Sequence, residues 1–65
     1  MEESFELMYG QGGHGGPWHG LDDAVEGARR FLRGCKTEDR VYVVPRDTRP
    51  LAHRNAARVV TRADL

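Results

Sequence analysis

Cysteine is almost absent from this chain. Cys35 is the single one among 65 residues, so no internal disulfide can form, and such usage fits a reducing compartment. No apolar run approaches the ~18 residues that a membrane-crossing helix needs, and no basic-then-apolar leader opens the sequence. A soluble, cytoplasmic chain without membrane contact is therefore expected. Completed metal-ligand spacings are missing too. His14, His19, His53 and Cys35 are potential ligands, but no C-x₂-C or H-x₃-H pair has a second half. Neither metal nor cofactor is expected. Basic residues are missing from the first 28 positions, which hold six acids: Glu2, Glu3, Glu6, Asp22, Asp23 and Glu26.

The remainder of the chain reverses that sign. Residues 29–65 carry ten Lys and Arg against four acids, so the halves stand at −6 and +6 within a formal net charge of zero. Such asymmetry speaks either of partners or of one half neutralising the other. Little core can be spared for a pocket. Ordering costs roughly 1.5 kcal/mol per residue, to be offset at about 25 cal/mol per Å² of apolar burial. Nearly every apolar side chain is needed inside, and function is expected on the surface.

Periodicity gives the elements. Residues 21–33, LDDAVEGARRFLR, place Leu21, Ala24, Val25, Ala28, Phe31 and Leu32 on one stripe at ~100° per residue, which predicts an amphipathic helix. Gly20 suits the N-cap, Asp22 and Asp23 the positive end of the helix dipole, and Arg29, Arg30 and Arg33 the negative end. Gly34 suits a left-handed stop. Gly27 lies at the edge of the stripe and allows close approach to a sheet. Residues 4–9 alternate as a half-buried strand, and residues 40–44, RVYVV, read as a strand apolar on both faces. Residues 10–20 contain six glycines and read as a loop, held if at all by Pro17 and Trp18. Trp18 either caps the core beside the helix or stands out as an anchor for a partner. Residues 45–56 read as a second loop. Residues 57–62 alternate as a strand, although 51–63 also fit a helical wheel; Val59, Val60 and Thr61 favour the strand. The resulting expectation is a single α+β domain over 1–65, ordered β-α-β-β, with one helix on one face of a three-stranded sheet. Its other face would expose Met8, Tyr42 or Val41, Val44 and Val60, edged by Arg58 and Arg62. That patch is a surface for a weak homodimer unless the chain stays monomeric.

Motifs of chemistry are weak. Residues 10–15, GQGGHG, match G-x-G-x-x-G, but Pro17 and Trp18 separate them from the helix, and Asp22 and Asp23 place negative charge where a phosphate should rest. Cys35 sits at a helix C-terminus, where the dipole disfavours a thiolate. No catalytic residue and no enzyme activity are expected. Arg46, Arg49, Arg54, Arg58 and Arg62 could track phosphates, which makes a small nucleic-acid-binding protein an alternative.

Two resemblances follow from these residues. Residues 40–65 resemble the second half of a CBS domain. Residues 40–44 stand for its middle strand, and VVTRADL matches its V-x-T-x-x-D segment. The likeness implies an adenine-nucleotide contact at Thr61 and Asp64. In size, plan and the acidic cluster at Asp22, Asp23 and Glu26, the whole chain is similar to small phage-encoded inhibitors, including anti-CRISPR proteins. That likeness implies a non-enzymatic module that covers the basic surface of a nucleic-acid-handling complex in a host cytoplasm. The expected contacts are Glu6, Trp18, Asp22, Asp23 and Glu26.

Overall fold

The computed structural model describes residues 3–10, 13–48 and 50–65, with the side chain of His14 left aside. Gln11 and Gly12 of the glycine motif, Glu2 of the acidic cluster and Arg49 of the basic one lie outside the described residues. The chain runs β1 (Ser4–Tyr9), β2 (Gly13–His19), α1 (Leu21–Gly34), β3 (Arg40–Pro45), a 3₁₀ turn (His53–Asn55), β4 (Arg58–Thr61) and a second 3₁₀ turn (Arg62–Asp64). The class is α+β as expected, but the sheet has four strands, in the order β2-β1-β3-β4, all neighbours antiparallel. Helix α1 crosses from the β2 edge to β3, which lies on the far side of β1.

The additional strand is the stretch read as a glycine-rich loop. Residues 13–19 pair with β1, with Phe5 opposite Trp18 and Leu7 opposite Gly15, and the register shifts between Phe5 and Leu7. Pro17, which has no N–H to give, sits in that irregular part, at an edge where its missing donor costs no ladder bond. Gly13 and Gly15 of the glycine motif thus lie in a strand paired with β1 and not in a strand-to-helix turn. Gly20, at φ 91°, ends β2 in a conformation that side-chain-bearing residues avoid; its N–H bonds the Glu3 carbonyl at 2.9 Å and its carbonyl takes the Ala24 N–H.

Phe5, Leu7, Val41, Val43 and Val60 meet Ala24, Val25, Ala28 and Leu32 in one core, with Tyr9, Trp18, Leu21 and Phe31 packed at its rim. Ala24 and Ala28 are fully buried, so the helix sits close to the strands. The expected stripe is the buried stripe. The helix ends differently: Gly34 lies within its last turn, Cys35 is the extended C-cap, and the Cys35 N–H bonds the Phe31 carbonyl at 2.9 Å.

The second face of the sheet is not open. Val41 and Val60 point to the helix side, while Met8 and Val44 on the opposite side are buried. On that side the described residues of the segment after β3, 46–48 and 50–57, form a strap, with His53 stacked on Tyr42 of β3 at a centroid distance of 4.1 Å and an interplanar angle of 9°. The Arg46 N–H bonds the Ser4 carbonyl (2.9 Å) and the Ala57 N–H the Val43 carbonyl (2.8 Å), tying the strap's ends to the sheet, while Asn55 Nδ2 donates to the Pro50 carbonyl (2.7 Å) within it. The expected patch of Met8, Val41, Val44 and Val60 is therefore not exposed; among the described residues the exposed large hydrophobics are Val59 on β4 and Leu65. The last element takes the strand alternative, over Arg58–Thr61.

Candidate functional site

Trp18 is positioned by the edge of the sheet and by the helix together. Its pairing with Phe5 aims it at the helix side, and its six-membered ring lies against Gly27. A Cβ at position 27 would stand 2.6 Å from that ring, inside any tolerable contact, so the glycine is what lets the indole seat. Trp18 is accordingly half-buried: it caps the core, and its outer part joins Pro17, His19, Asp23, Glu26, Gly27 and Arg30 around a shallow depression of about 270 Å³.

The acidic residues divide three ways. Asp22 and Asp23 stand exposed on the first helical turn and enter no ion pair among the described residues. Glu26 is shared between Arg29 (3.6 Å), Arg30 (3.8 Å) and Arg33 (3.9 Å) on the outer face of α1. Glu6 alternates with Phe5 and Leu7 and so faces the strap, where its carboxylate pairs with Arg46 at 3.2 Å. Trp18, Asp23 and Glu26 are thus brought to one depression with Asp22 beside it, whereas Glu6 is carried to the other side of the sheet. The Glu6–Arg46 pairing joins the acidic and the basic half of the sequence, as the intramolecular reading of the charge asymmetry requires. No spacing signal could have found it, because forty residues separate the partners.

The remaining candidates are spent locally. His19 Nδ1 lies 3.3 Å from Ser4 Oγ, His53 is stacked in the strap, and no group of three His, Cys, Asp or Glu side chains among the described residues could hold a metal. Thr61 and Asp64 bond each other: the Asp64 carboxylate accepts the Thr61 N–H at 2.9 Å and lies 3.3 Å from its hydroxyl, forming a capping box on the short turn. Arg62 donates to the Cys35 carbonyl. Cys35 corrects one expectation. The Thr37 hydroxyl, 3.2 Å from the sulfur, and the Thr37 N–H hold its thiol below the ordinary value, although it sits at the helix C-terminus. A second polar hollow is lined by Thr37, Glu38, Asp39, Arg40, Tyr42 and His53 with Gly10.

No helix among the described residues is long and apolar enough to cross a membrane. No protein-family model, curated protein or solved structure matches the chain.

Proposed function

We propose that this chain is a non-enzymatic protein-binding module whose contact surface is the end where β2 runs into α1. The observation that carries the reading is the meeting of a half-buried aromatic with uncommitted carboxylates: Pro17 and Trp18 form an apolar floor, and Asp22 and Asp23 stand beside it without ion partners among the described residues. Aromatic groups seated on a rigid support anchor protein interfaces, and unpaired acids around them steer a basic partner into register. The partner is a protein with a basic surface. The similarity in size and plan to phage-encoded inhibitors supports a nucleic-acid-handling complex, of the RNA-guided kind, as the one covered.

Binding of the purified protein to such a complex, emptied of its target strand, tests this in a salt titration. Asp22→Lys with Asp23→Lys is expected to weaken binding at least tenfold, the equivalent of about 1.4 kcal/mol, while the fold, read by its melting curve, is retained. Undiminished binding by the double variant contradicts the reading.

A further inference from the structure

We propose that the outer face of α1 is a surface for the phosphate backbone of a nucleic acid, and that Glu26 occupies this surface in the free protein. This goes beyond the docking end, with which it shares Glu26 and Arg30 at the edge of the depression, and rests on the arginines of α1. Arg29, Arg30 and Arg33 all turn toward one carboxylate, Arg29 to Oε1 and the other two to Oε2, at 3.6, 3.8 and 3.9 Å. Charge-assisted N–H···O bonds close to about 2.7–2.9 Å. Glu26 is therefore central to the three guanidinium groups and tightly bonded to none of them. One negative charge is divided among three positive ones, which leaves this face locally positive.

The donors of Arg30 and Arg33 remain accessible, whereas Arg29 is 38% exposed and its Nε is buried. The Arg30 and Arg33 side chains are 76% and 57% exposed. Lys36 stands exposed just past the helix end. Each guanidinium carries five N–H donors in a planar fork, and one shared carboxylate uses few of them. A single carboxylate can satisfy one fork at a time. A row of phosphates can meet Arg30, Arg33 and the terminal nitrogens of Arg29, because the three follow one side of the helix over about one turn. Asp22 and Asp23 lie in the first turn of α1, and Asp23 edges the depression that Glu26 and Arg30 also line, so the phosphates are placed on the Arg33 and Lys36 side, away from it. Glu26 then acts as an internal stand-in for phosphate.

A labelled 20-base-pair duplex, titrated by fluorescence anisotropy at low salt, is the probe. Glu26→Gln is expected to bind about threefold more tightly than the parent chain, because releasing exposed ion pairs of this kind is a fraction of a kcal/mol each. The same substitution lowers the melting temperature, so affinity and stability move in opposite directions. Arg30→Glu with Arg33→Glu is expected to abolish binding, and Arg30→Gln, a milder change that keeps the helix intact, to weaken it. Three phosphate contacts give a slope of about −2.7 for log K against log salt. Unchanged or weaker binding by Glu26→Gln overturns the proposal. So does unaltered binding by both arginine variants, a loss of binding produced by Arg54→Glu with Arg58→Glu in their place, or an absence of duplex binding by parent and Glu26→Gln alike.

Discussion

The two faces of the sheet are closed by different means. On one side a 14-residue helix lays Ala24, Val25, Ala28 and Leu32 against Phe5, Leu7, Val41, Val43 and Val60. On the other, where Met8 and Val44 are buried, an irregular strap is held by one ring stack and a few hydrogen bonds. The helix side buries continuous apolar surface and draws on the main driving force of folding. The strap side is held by contacts individually worth about 1 kcal/mol. The proposed docking end belongs to the first of these, since Trp18 reaches from β2 onto Gly27 of the helix. A surface held this rigidly loses little freedom when a partner arrives.

Three substitutions sharpen that contrast. The largest effect is expected at Leu32, fully buried under the helix. Leu32→Ala should cost about 2–5 kcal/mol in urea unfolding, a large part of what a small domain possesses. Next comes Gly27→Ala. Helix propensity alone favours alanine by about 1 kcal/mol. The Trp18 ring at 2.6 Å reverses the sign, because overpacking costs about 1–3 kcal/mol. A lowered melting temperature, together with altered Trp18 fluorescence, is expected; a raised one means that the indole does not seat on the helix. The smallest effect is expected for His53→Ala, about 1 kcal/mol from the lost stack on Tyr42. It should speed hydrogen exchange at Asn55, Ala56 and Ala57 while leaving the helix unaffected. Equal losses from His53→Ala and Leu32→Ala would erase the difference between the faces.

The same contrast explains what could be read from the residues. A side chain recurring every three or four positions marks the helix stripe, and β-branched residues in residues 40–44 mark β3, so both were legible. Strand β2 was not, because a strand announces itself by alternating side chains and its glycines have none. Its pairing is fixed from outside, by β1 and by the seat of Trp18. The strap was invisible for another reason: its proline and polar residues have no period, and its hold on the sheet depends on His53 meeting Tyr42 eleven residues away. The sequence-level acidic cluster was half right as geometry. Asp22, Asp23 and Glu26 lie along one helix, but alternation along β1 sends Glu6 to the opposite face, and three arginines claim Glu26.

Native-state hydrogen exchange tests most directly whether the helix-covered side is the rigid body that would carry the proposed docking end. The Gly20 N–H, bonded to Glu3 where β2 enters the helix, and the Ala57 N–H, bonded to Val43 where the strap ends, report the two sides. Exchange at Ala57 through a local opening, at least tenfold less protected than Gly20 and the α1 amides, is the expected result. Equal protection at both positions, or a docking end that opens before the strap, would contradict it.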